Sequence, residues 1–186
     1  AYEITYGDWS SDVCSSDLNL RVYLELENEL WNFFSVFYVD FANVNALTAA
    51  DADANNADFQ VINFDGLSTA RDGGGGYVSM NTWRYRKIML RLFQMSDIFR
   101  SVLGDDAMMT RIRPLYEWQY ANDNDTARLA LTFADRYFNN GDGRPHVANP
   151  RPVHHWLWGG GGATYYGAAN GNGLTDLVPN PSFATP

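Results

Sequence analysis

The sequence predicts an α/β fold assembled from parallel βαβ units. Two observations carry that expectation. Segments of strand character alternate with segments of helical spacing, in the order strand, helix, strand, helix, strand. Apolar residues make up 46% of the chain and charged residues 19%, a balance that supplies a core and argues against a disordered tail.

The first strand spans 21–27 (RVYLELE), where β-formers alternate with other residues, and it runs into Asn28-Glu29-Leu30-Trp31-Asn32. Residues 42–79 are polar and rich in Asn, Asp and Gly, including the glycine run 73–76. A connection that long is expected to be functional or mobile. Asn81 then caps a predicted helix that runs to about Leu103. Ile88, Met89, Leu92, Phe93, Ser96, Phe99, Val102 and Leu103 share its inner face, and Gly104 stops it. A second strand covers 111–119 (RIRPLYEWQ), with Pro114 counting against a central position in the sheet. A second helix starts at Asp123 or Asp125 and ends near Phe138. It carries Leu129, Ala130, Phe133, Ala134, Tyr137 and Phe138 inward, and Asn139-Asn140-Gly141 closes it. The third strand is expected at 153–158 (VHHWLW), and the glycines of 159–162 read as a flexible loop. Three strands and two helices neither close a barrel nor cover a parallel sheet on both faces. The pattern reads as the middle of something larger.

Residues 8–18 (DWSSDVCSSDL) stand apart. The stretch resembles the translation of a sequencing-adapter oligonucleotide and is expected to be foreign to the protein. It holds the only cysteine, Cys14, so no redox compartment follows from cysteine usage. Residues 1–18 are therefore set aside as an unreliable segment. The domain is expected over 19–177, and 178–186 reads as a linker or as the start of a carbohydrate-binding β-sandwich.

The formal charge is -9, with no basic stripe on any predicted element, which argues against nucleic acid and anionic membrane as partners. No segment approaches the roughly 20 consecutive apolar residues of a membrane span. Aromatic residues reach 15%, six of them tryptophans, more than a core of this size requires. Surplus Trp and Tyr often line sugar or protein contacts, since each joins a flat apolar face to a polar tip.

The strongest chemical signal is Asn28-Glu29 at the end of the first strand. Reacting side chains of parallel α/β barrels project from the C-terminal ends of strands, and a glutamate there can act as general acid when its pKa is raised. Glycoside hydrolysis needs two such carboxyls. The stretch YLELENELWN resembles the fourth-strand motif of the large (β/α)8-barrel clan of retaining glycoside hydrolases. The segments RLFQMSDIFRSVLGDDAM, RIRPLYEWQ and HHWLWGGGGATYYG resemble bacterial secreted proteins related to that clan. The resemblance covers roughly 19–173 and implies an incomplete (β/α)8 TIM barrel, about strands four to six with their helices.

On that resemblance Glu29 is the acid/base and Asn28 binds the sugar 2-hydroxyl. The nucleophile belongs to a seventh strand that is not recognisable here, so the fragment is expected to be inactive alone. The implied parent reaction is cleavage of a β-glycosidic bond of a polysaccharide, secreted or at the cell surface. Glu117 is ranked as a substrate contact. Trp31 and Trp118 are the leading sugar platforms among Trp31, Trp118, Trp156, Trp158, Tyr165 and Tyr166, all expected at or just past strand ends, with a core position an equal alternative for Trp156 and Trp158. Trp158 and His155 join the candidate substrate-binding set. Glu25 and Glu27 share the side of Glu29 by alternation, and pairing with Arg111 or Arg113 is the expected role for both. No cofactor and no metal are expected. Adjacent strand residues such as His154 and His155 face opposite sides, and Asp51, Asp53 and Asn55 open a calcium-like loop whose glycine position is Asn56 and whose last ligand position is Ile62. The rival reading is a non-catalytic carbohydrate-binding or cell-surface protein. Fold analogy alone does not decide between them.

Overall fold

A computed structural model describes residues 20–26, 46, 48–49, 55–119 and 123–163. In chain order the elements are β1 (Val22–Leu24), α1 (Ala57–Ile62), α2 (Met80–Leu103), β2 (Ile112–Gln119), α3 (Asp123–Thr126), α4 (Arg128–Phe133) and β3 (Gly159–Ala163). The strands form one parallel sheet in the order β1-β2-β3. Val22 pairs with Ile112 at one seam, and Leu115 with Gly159 at the other.

This α/β mixture overturns the expectation of a partial (β/α)8 TIM barrel. Among the described residues the sheet has three strands, and β1 contributes only three residues. Barrel closure demands eight tilted strands with a consistent stagger, which this sheet does not supply.

Helix α2 organises the core. Trp83, Met89, Leu92 and Phe93 on it are at most 1% exposed. They pack with Phe59 and Ile62 of α1, Tyr116 of β2, Ala130 and Phe133 of α4, and Trp156 and Leu157. Strand β2 alternates as a pleat requires, with Ile112, Pro114 and Tyr116 buried on the helix side and Arg113, Leu115 and Glu117 half-buried on the other. The helix begins after Ser79, not Asn81, and Ser79 makes no side-chain cap. Asn81 lies inside the helix and reaches Asp125 (3.1 Å). Gly104 ends the helix with φ 83° and ψ 163°, a region essentially closed to other residues.

The first half of α2 is buried all round, including Arg84, Arg86 and Lys87. Charges are buried only when paired and hydrogen-bonded. Arg86 grips Asp65 with both terminal nitrogens at 2.7 Å and also donates to the Ile62 carbonyl (2.8 Å). Lys87 donates to Asp58 (2.9 Å), which Arg91 also approaches at 3.1 Å. The long polar connection is therefore partly structural: α1 lies inside it, with Asn56 as N-cap accepting from the Phe59 amide at 2.9 Å, and it brings the acidic partners of α2. Asn56, which the sequence already showed in place of a calcium loop's glycine, is thus a helix cap, while residues 51–54 lie outside the described residues.

Three further sequence expectations are corrected. The third strand is not 153–158: Val153–His155 is a single 3-10 turn, and the strand is the glycine run itself. A side chain on Gly160 would collide with the Tyr116 carbonyl and sit 2.9 Å from the Trp118 ring, so close approach of β3 to β2 selects glycine. Pro114 does occupy the central strand. Amide and carbonyl of one strand residue leave on the same side; Pro114 faces β3, and its carbonyl accepts from the Trp158 amide (2.9 Å) just before that ladder begins. The second helix is broken as well. Short α3 precedes α4, and Ala134–Phe138 continues as a π turn.

Candidate functional site

Alternation on β2 sends neighbouring residues to opposite faces, and this sorts the candidates. Glu117 leaves the sheet on the side away from α2, and the site of a Gly161 side chain lies 3.3 Å from its Oε2. Glycines at 159 and 161 keep that face low and open beside it. Glu25, immediately after β1, lies near enough for its charge to act on Glu117. Burial raises the pKa of both carboxyls, and the Glu25 charge adds to the rise at Glu117. Among the described residues neither carboxyl has an ion-pair partner.

The expected pairing of Glu25 with Arg113 is absent. Arg113 donates instead to the Tyr23 hydroxyl (3.0 Å) and to the Thr110 carbonyl (3.0 Å). Its guanidinium lies 4.5 Å from the centre of the Trp158 ring and 5.6 Å from that of Tyr23. The two rings meet edge to face at 5.6 Å. Tyr23 is 50% exposed and Trp158 45% exposed, so the cluster presents aromatic surface to solvent while the arginine holds both rings in place. The open face thus carries a ring cluster toward the start of the strands and a pair of carboxyls toward their C-terminal ends.

The remaining candidates separate. Trp118, adjacent to Glu117, faces the helices, packs against the core and stacks on Tyr116 at 6.1 Å. It lines a pocket of about 500 Å³ between β3 and α4 together with Asp135 and Asn139. It is not a platform for a ligand lying against Glu117. Trp156 is core: it stacks on Phe93 at 4.6 Å and donates its indole N–H to Asp97 (2.9 Å). His155 sits in the 3-10 turn, beside Met108 and Met109, which precede β2. Strand β2 rises about 3.3 Å per residue, so this is the end of the sheet opposite Glu117. His155 is therefore not part of the Glu117 face. Asn28, Glu29 and Trp31, together with Glu27, Tyr165, Tyr166 and residues 8–18, lie outside the described residues.

Sequence reasoning missed Tyr23 and the true role of Arg113. The signal available was register. Tyr23 pairs with Arg113 across the β1–β2 seam, and parallel partners project to the same face. Among the described residues no group of three or more His, Cys, Asp or Glu could hold a metal ion, and no helix is long and apolar enough to cross a membrane. Comparison of the chain with protein-family models, with curated proteins and with solved structures finds no match.

Proposed function

We propose that the chain is a piece of a glycoside hydrolase acting on the β-glycosidic bonds of a polysaccharide, with Glu29 as its general acid/base. The observation that carries this reading is the open face of the sheet, where Glu25 and Glu117 hold raised pKa values beside exposed Tyr23 and Trp158. Ligands of open parallel sheets bind outside the carboxyl ends of the strands, where Glu25 and Glu117 lie, and a chain of sugars running back along the face would reach the rings near the strand starts. A carboxyl whose protonated form is favoured can donate a hydrogen bond to a sugar hydroxyl, and an exposed indole face suits the apolar face of a pyranose. In this reading Glu117 and Trp158 contact the sugar and Asn28 and Trp31 complete the contact set, as the resemblance implies. A polymer substrate also places the parent protein outside the cell or on its surface.

A second reading is a non-catalytic carbohydrate-binding protein. The ring cluster favours it, because Arg113 fixes Tyr23 and Trp158 without help from either carboxyl. The test has two arms. The 186-residue chain and its Trp158→Ala variant are titrated with cello-, xylo- and manno-oligosaccharides by NMR. Saturable binding by the parent, weakened about tenfold in the variant, is expected for a stacked sugar. Absence of binding to all three overturns both readings. The uninterrupted gene is then assayed beside its Glu29→Gln variant. Cleavage lost with binding kept supports the hydrolase, and binding without cleavage in either protein leaves the binding module.

A further inference from the structure

The end of the sheet away from Glu117 carries a pocket of about 420 Å³ that the sugar-binding reading does not use. Its walls come from the C-terminal end of α2, the turn that follows it, and residues 151–155. The chain is acidic overall, with thirteen Lys and Arg and three His against 22 Asp and Glu. Two arginines and two of the three histidines nevertheless line this pocket: Arg100, Arg151, His154 and His155.

The arginines are held in different ways. Arg100 donates from Nη2 to the His155 carbonyl, which ties α2 to the 3-10 turn and orients the guanidinium. Its Nη1 meets Asp105 at 2.6 Å, and its Nε, 3.9 Å from Asp97, makes no hydrogen bond. The Arg100 side chain is only 17% exposed but the Asp105 side chain is 77% exposed, so the carboxylate can swing into solvent and leave Nη1 to another anion. Arg151 stands between Pro150 and Pro152, with its amide bound to the Phe138 carbonyl (2.9 Å). Its backbone is thereby fixed, while its guanidinium makes no hydrogen bond among the described residues. His155 reports the local field. Burial lowers its pKa, and the charges of Arg100 and Arg151 lower it further, against the weaker pull of Asp97 and Asp105.

We propose that this pocket binds a phosphate group, held by the guanidiniums of Arg151 and Arg100 with His154 and His155 as neighbouring donors. The incoming anion takes the place of the Asp105 carboxylate on Nη1 of Arg100. Arginine forks match phosphate oxygens, and the two guanidiniums come from separate elements locked together by the His155 carbonyl. Asp105 is then a stand-in anion that balances Arg100 when no ligand is bound.

The experiment is a titration of the full chain with inorganic phosphate, read on histidine ring signals by NMR at constant pH and ionic strength. Saturable shifts are expected at His154 and His155. His146, held by Asp142 at 2.9 Å and stacked on Tyr137, should stay still and serves as the internal control for folding. Arg151→Ala should raise the half-saturation concentration about tenfold, the loss of one charge-assisted contact. Asp105→Asn should lower it severalfold, because the competing carboxylate is gone; a merely structural role for Asp105 would not tighten binding. Shifts that do not saturate, that chloride reproduces, or that persist unchanged in Arg151→Ala overturn the proposal. Acetate binding as tightly as phosphate overturns the phosphate assignment.

Discussion

Glu117 and Trp118 show how much one step along a strand decides. They are adjacent in sequence, yet the carboxyl faces the open side of the sheet and the indole packs toward α2. Both were expected to contact a sugar, but residue type alone does not say which face each takes. The fold opposes ionisation of Glu117 through burial and through the Glu25 charge. Its folded pKa lies above its unfolded value, so the fold favours the protonated carboxyl. That stabilising preference is complete at acid pH and is lost as the pH rises through the raised value. A permanently neutral Glu117→Gln is expected to be more stable than the parent at neutral pH and equal to it at about pH 3, below the ordinary glutamate pKa. Urea unfolding at the two pH values checks this; an equal difference at both would mean that packing, not charge, sets the effect. Asp65 lies on the other side of the same rule. Burial alone would raise its pKa, but the hydrogen bonds and charge of Arg86 hold it below the usual carboxylate range. Its contribution is present at neutral pH and fades as the pH falls through the depressed value.

At the scale of elements, periodicity made the helices legible and composition hid the last strand. Of the eight residues expected on the inner face of a helix ending at Gly104, Ile88, Met89, Leu92, Phe93 and Ser96 are buried, Phe99 is half-buried, and Val102 and Leu103 are exposed where the last turns leave the core. The glycines of β3 carry no β-propensity and read as a loop. They form a strand because β2 offers a parallel edge, and at position 160 only glycine fits against the Tyr116 carbonyl and the Trp118 ring. Two neighbouring substitutions separate packing from propensity. Gly160→Ala is expected to cost about 2 kcal/mol or more, since a methyl group there meets rigid backbone. Gly161→Ala should stay within about 1 kcal/mol, because its nearest contact is the movable end of Glu117 at 3.3 Å. Denaturant unfolding of both variants decides the matter; equal losses would place the requirement for glycine in the backbone and not in the contact. The polar stretch before α2 hid its role for a different reason. Asp58 and Asp65 look like solvated loop residues until Lys87 and Arg86, buried within α2, are seen to need them.

Among the described residues, one side of the sheet is packed against helices and the other holds Glu25, Glu117, Tyr23 and Trp158. Helices α1, α2 and α4 share one core with the inner face of β2, whereas β1 is a short edge strand with Val22 and Tyr23 half exposed. Stability should be distributed accordingly. Amide hydrogen exchange is expected to be slowest through the buried stretch of α2 around Met89 to Phe93 and fastest in β1. Equal protection in β1 and α2 would show that the open face of the sheet is covered in solution. The sequence by itself determined the α/β alternation, the extent of α2, the inner face of its first four turns, and its glycine stop, because these follow from local periodicity and local backbone geometry. Only the tertiary structure decided that the described sheet is a three-stranded parallel ribbon, too small to show a (β/α)8 barrel, that β3 is the glycine run, that Arg113 serves Tyr23 and Trp158 instead of Glu25, and that His155 sits at the far end from Glu117. Each of those depends on which residues meet across long chain separations, and no local pattern encodes the register that brings them together.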